Sequence, residues 1–239
     1  MDMADRRAWL DVPYQEKDAA KALGARWDAA AKRWYAPRPG IAGLARWEAL
    51  PEVPDLLPGE DRTFGSGLFV DLVPRSCWFT NVRSCVDQRD WERLRRMVVQ
   101  RAQSRCEACG RAEDRPSRRW LEVHERWAYD EHARVQSLRR LICLCTDCHR
   151  STHFGLAQVM GLADQAFTHL MAVARMSQSQ ADEHVRQAFR LWEQRSRTAW
   201  TLNLDMLTHA GVTIVPPPGA ASRPGIAERV LGETRERTS

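Results

Sequence analysis

Cys106-Glu-Ala-Cys109 and Cys145-Thr-Asp-Cys148-His149-Arg-Ser-Thr-His153 bracket the stretch whose reading decides the fold, with Leu121-Glu-Val-His124-Glu125 between them. A Cys-x-x-Cys knuckle lets one tight turn aim two thiolates at a single ion. Two such knuckles complete a tetrahedral zinc site, so Cys106, Cys109, Cys145 and Cys148 are expected to hold a structural Zn2+. His149 and His153 lie four apart and share one face of a helix, where both can bind one cation. His124, in a β-rich run over Leu121–Glu125, supplies a third nitrogen. Three ligands with an open position suit catalysis, whereas four thiolates make a closed structural cage.

With those residues in place, the segment 121–153 resembles the HNH nuclease motif, a ββα-metal fold with a four-cysteine zinc staple. The family pattern runs Leu-x-Val-(Asp/His)-His and then Asn-Leu-x-x-Leu-Cys-x-x-Cys-His-x-x-x-His. Aligned on Leu121 and Val123, His124 takes a metal-ligand place, and Cys145, Cys148, His149 and His153 fall in register. The resemblance implies a second divalent ion (Mg2+, Mn2+, Ni2+ or Zn2+) on His124, His149 and His153. Two positions depart from the pattern. Glu125 stands where the family has its general-base histidine, and Arg140 stands in place of its asparagine. A glutamate serves as a base when its pKa is raised, and the planar fork of an arginine suits phosphate oxygens.

The chain has 239 residues and a net charge of +5. The surplus is local: residues 64–160 carry 17 basic against 12 acidic side chains, while the flanking parts are near balance. A basic surplus on the metal-bearing segment points to a nucleic-acid partner, DNA foremost. No apolar run approaches the ~18 residues a membrane span needs, and residues 1–7 lack the apolar stretch of a signal peptide. A cytoplasmic protein with cysteines spent on metal is the expectation.

Residues 1–50 read as a small module. Trp9–Pro13 is a strand, Gln15–Leu23 a helix closed by Gly24, and Arg33–Ala36 a second strand, giving a βαβ-like unit. The run Leu10-Asp-Val-Pro-Tyr-Gln-Glu-Lys-Asp18, with Lys21-Ala-Leu-Gly-Ala-Arg-Trp-Asp28 and Lys32-Arg-Trp-Tyr35, resembles a small domain of unknown function that accompanies primases and other proteins of plasmids and mobile elements. Trp27 and Trp34 are candidates for base stacking beside Lys17, Arg26 and Lys32, or for a tiny core that needs its rings. The phrase Ala-Arg-Trp-acid-Ala occurs at 25–29 and again at 45–49, too few copies for a repeat fold.

Residues 51–67, rich in Pro and Gly, read as a linker. Residues 68–214 are then an HNH-like zinc-stapled domain with helical cover, and 215–239 have the composition of a disordered tail. Gly67–Val73 reads as an apolar strand. Asp87 or Asp90 caps a helix running to about Ser104, with Trp91, Leu94, Val98 and Ala102 inward. Arg89, Arg93 and Arg96 share its other face, either as phosphate contacts or as a solvated stripe. Two further helices follow His153, the second started by Ser177 or Ser179. Cys77, Cys85 and Cys143 read as buried thiols, and His132, His169, His184 and His209 as ordinary polar or packing residues.

The fold expected is therefore α+β. The function expected is metal-dependent cleavage of phosphodiester bonds, with His124, His149 and Glu125 catalytic and with Arg140, Arg89, Arg93 and Arg96 on the nucleic acid. The alternatives are a zinc-stapled nucleic-acid-binding protein that no longer cuts, and a protein-binding adaptor.

Overall fold

The computed structural model describes residues 7–78 and 80–217. Among the described residues the chain is α+β, with two separate three-stranded sheets. The first module comprises β1 (Ala8–Leu10), α1 (Lys17–Ala22), β2 (Arg26–Asp28) and β3 (Arg33–Ala36). Its sheet is antiparallel throughout in the order β1-β3-β2. A βαβ-like unit was expected, and β2 is the strand that expectation lacked. Gly24, at φ +95°, turns the chain from α1 into β2 in a conformation that only glycine adopts freely. Leu10, Ala20, Ala36, Leu44 and Trp47 form the small core. The two copies of the Ala-Arg-Trp phrase take different structures: the first is β2 and the second ends a 3-10 helix over Ala42–Trp47.

The stretch expected as a linker is not a free tether. Val53 and Leu57 are buried in the main core. Glu60 is buried and accepts from the amides of Leu57 and Leu141. Arg101 meets the same carboxylate with both terminal nitrogens, at 2.6 and 2.7 Å. A short helix, α2 (Val82–Cys85), leads into α3 (Gln88–Arg101), and Asp87 caps α3 as expected by accepting from the amide of Asp90. Leu94 and Val98 are buried on its inner face.

The opposite face of α3 corrects the sequence reading. Arg93 is buried, pairs with Asp90 and donates to the carbonyl of Pro51. Arg96 donates to Asp11 at 3.0 Å, and Arg89 donates to the carbonyl of Glu48. All three arginines are thus engaged on the first module and the segment after it. The stripe binds the two parts of the chain together, because each guanidinium donates to a carboxylate or carbonyl of residues 1–51.

The second sheet is built on a long hairpin. β4 (Leu121–Asp130) pairs antiparallel with β5 (Val135–Cys145), with a bulge between Arg126 and Trp127, and β6 (Thr201–Asn203) adds to β5 in parallel. Leu141 to Cys145 are buried without a break. A continuous apolar run marks a strand covered on both faces. α3 packs on the hairpin, as does α4 (Thr146–Thr152), which leaves β5 at Cys145. The strand–strand–helix order expected of 121–153 is present. α5 (Phe154–Val159), α6 (Ala163–Ala174), α7 (Gln178–Ser196) and α8 (Asp205–Thr208) follow. Ser177 starts α7 with a full capping box.

Two further expectations need correction. Residues 67–73 form no strand, because their amides go elsewhere: that of Val70 to His184 and that of Asp71 to the carbonyl of Thr152. The start of the expected tail is also anchored, since the amide of Val215 donates to the carbonyl of Cys85 at 2.8 Å. The rest of that tail, from residue 218, lies outside the described residues, as do residues 1–6.

Candidate metal centre

The two knuckles converge. Cys106 and Cys109 lie in the turn after α3, Cys145 ends β5, and Cys148 lies in the first turn of α4. Their sulfurs all lie within 4.8 Å of one another. Hydrogen bonds from Cys145 and Cys148 hold the Cys106 thiol well below the usual thiol range. Sharing with Cys106 pushes Cys145 up to about 12, and the same sharing raises Cys148. A divalent cation would let all four ionise. The donor set and spacing fit zinc. Cys77, Cys85 and Cys143 are buried thiols apart from this cluster, as expected, and burial pushes Cys143 up to about 12.

One residue further along α4 a second cluster begins. His124 of β4 and His149 and His153 of α4 and its C-cap bring one nitrogen each within 4.8 Å of the others. Their ring centroids are 4.6 to 5.4 Å apart, all edge-on. His124 is buried, and neither of its ring nitrogens has a hydrogen-bond partner. A buried imidazole with both nitrogens unpaired is costly unless a ligand completes it. Burial, then the charges of neighbouring histidines and Arg126, hold His124 and His153 well below the usual imidazole range. Both rings are therefore neutral, which is the form that binds a cation.

Strand parity decides which neighbours face this cluster. Alternate residues of β4 share a face, so Glu122 and Arg126 accompany His124. Glu122 Oε2 lies 3.5 Å from His149 Nδ1. Arg126 is fully buried, held by Asp71 and the carbonyl of Gly67 at 3.4 Å each, and stacked 4.0 Å over the Phe69 ring. Gly65, at φ +60°, makes room for it: a Cβ there would sit 3.0 Å from the arginine's Cδ.

Glu125, the expected general base, does not join the histidines. It falls on the other parity of β4 and accepts from the amide of Val82 at 3.0 Å. Burial pushes its carboxyl up to about 7, as a base would need, but on the wrong side of the hairpin. Arg140 is likewise turned inward. It is buried and donates to Glu107 at 3.0 Å, to Ser66 at 3.1 Å and to the carbonyl of Phe64. Arg89, Arg93 and Arg96 likewise each have a partner within the chain. Glu122 and Arg126, which do reach the cluster, were missed, although alternation from His124 would have found both.

Residues 7–48 match a domain of unknown function, DUF5710. Two curated relatives, both DNA primase TraC of Escherichia coli, are similar over this region. One is 56% identical over 43 residues, covering 18% of this chain and 3% of that protein. The other is 46% identical over 56 residues, covering 23% and 5%. The shared part is thus a small fraction of those primases and excludes both clusters. No solved structure matches the chain. Among the described residues no helix is long and apolar enough to cross a membrane.

Proposed function

We propose that residues 68–214 form an HNH-like metal-dependent nuclease that hydrolyses phosphodiester bonds, carried in a plasmid or mobile-element setting by the first module. The observation that carries this reading is His124, a buried imidazole with both nitrogens unpaired beside His149 and His153. In this reading the four cysteines hold zinc and keep α4 against the hairpin, and the three histidines hold the second divalent ion. That ion would supply Lewis-acid stabilisation of the charge on phosphoryl oxygens.

The chain's own groups do the rest. A carboxylate on the far nitrogen of a ligating histidine fixes its tautomer and orientation, and Glu122 is placed for that at His149. The buried guanidinium of Arg126 keeps positive charge next to His124 and His153, which favours an anionic substrate. The basic surplus of residues 64–160 favours nucleic acid as that substrate.

A second reading is a zinc-stapled protein that binds nucleic acid without cutting. Glu125 favours it, because the only carboxylate at the family's base position faces away. A nicking assay on supercoiled plasmid with Mg2+, Mn2+, Ni2+ or Zn2+ separates the two. Cutting that needs metal and is lost in His149→Ala supports the nuclease. Retarded plasmid with no nicks under any metal supports the binder.

A further inference from the structure

A zinc ion with four thiolates carries a net charge of about −2, and burying that charge is costly unless donors surround the sulfurs. The Cys109 and Cys145 sulfurs lie 3.6 Å apart across the two knuckles. Cys148 has a neighbour from outside both knuckles. His169 Nε2 lies 3.2 Å from its sulfur, well inside hydrogen-bonding distance for sulfur.

The helix that carries His169 is docked for this. Ser151 of α4 donates to the carbonyl of Ala166 at 2.9 Å, and Ala166 and Leu170, on either side of His169 in α6, are buried. His169 thus reaches the cage from an element that supplies no ligand. Its outer edge lines a cleft with Arg111 and Arg150, each of which lies 3.9 Å from the carboxylate of Asp147.

We propose that His169 is the outer-sphere donor of the four-cysteine cage, its Nε2–H bonded to Cys148 Sγ, and that it ties the helical cover to the metal. Either the neutral tautomer protonated on Nε2 or the cation can make this bond. The inference rests on the cage holding a metal and is independent of whether the protein cuts nucleic acid. His169 is a positioning residue, acting on the metal through a ligand.

The test is done on the full chain in two ways. Zinc transfer to a colorimetric chelator is timed, and the Co2+-substituted protein is examined by absorption, where the sulfur-to-cobalt band reports the thiolate cage and not the histidine cluster. His169→Ala is expected to speed zinc transfer about tenfold or more, and to move the sulfur-to-cobalt band to lower energy as Cys148 loses its donor. His169→Gln, which retains an N–H donor, is expected to restore part of both.

Wild-type rates and an unmoved band in a folded His169→Ala would overturn the proposal. So would a change in the cobalt d–d bands showing that a nitrogen ligand had been lost, since His169 would then be a direct ligand. Wild-type protein that takes up no metal would sink the cage reading, and this inference with it.

Discussion

His124 and Glu125 are neighbours in sequence and face opposite sides of the β4–β5 hairpin: His124 meets His149 and His153, while Glu125 accepts from the amide of Val82. A residue acting as general base contributes about 10²–10⁴-fold to rate. Glu125→Gln, which keeps an oxygen for the Val82 amide, is therefore expected to change plasmid nicking by less than about tenfold. His124→Ala is expected to abolish it. A loss in Glu125→Gln as large as that in His124→Ala would restore Glu125 to the catalytic set and contradict its observed direction.

The arginines of α3 make a prediction about salt. Each phosphate contact removed lowers the slope of log affinity against log salt by about 0.9 on duplex DNA. Arg89 and Arg96 are engaged on Glu48 and Asp11, so Arg89→Ala and Arg96→Ala are expected to leave that slope unchanged in titrations at several salt concentrations. A slope reduced by one unit per substitution would mean that the guanidiniums leave their internal partners for DNA.

Glu60 and Arg101 form the most enclosed ion pair among the described residues, with side chains 0% and 2% exposed. Removing one partner strands a buried charge, at a cost of about 3–5 kcal/mol. Arg101→Met is expected to lower stability by that amount in urea unfolding. Adding Glu60→Gln is expected to recover much of the loss, because the stranded carboxylate is gone. Equal losses in the single and double variants would show that the guanidinium's bonds to Asp55 and Leu141 carbonyls matter more than its charge partner.

His184 gives the fold a pH dependence away from both clusters. Its Nε2 accepts from the amide of Val70 at 2.9 Å, so the ring must be neutral, and burial lowers its pKa below the usual value. Below about pH 6.5 the unfolded chain takes up this proton more readily than the folded one. The stability contributed is thus complete above that pH and is lost as pH falls toward the lowered folded value. His184→Gln, which keeps an acceptor that does not titrate, is expected to reduce the drop in urea midpoint between about pH 7.5 and pH 5. An undiminished drop would assign it to other groups.

The parts of this design that are local were legible in the sequence. The knuckles, the i,i+4 histidines, the Asp87 cap and the Ser177 cap each depend on residues within a few positions, where spacing determines geometry. The arginines were not legible. Arg93 meets Pro51, Arg96 meets Asp11, and Arg140 meets Glu107 and Ser66, partners 33 to 85 residues away that no periodicity relates to them. A charged stripe and an internal brace look alike until the other side is known. Glu125 is a third kind of case. Its direction was available from strand alternation, but alignment to a motif placed it by position alone. His169 was passed over because its partner, Cys148, lies on another helix.

Asp11 holds the last consequence. Its buried carboxylate accepts at once from Arg33 of its own sheet, from the amide of Leu50 and from Arg96 of α3. A module hung on a flexible tether would reorient on its own timescale, and its amides would relax in NMR like those of a small free domain. Pinned at Asp11, the first sheet instead shares the rotational diffusion of the hairpin and its helices. Whatever surface Trp27 presents to solvent is then carried at a set distance and angle from the three histidines, as a bit is held in a drill.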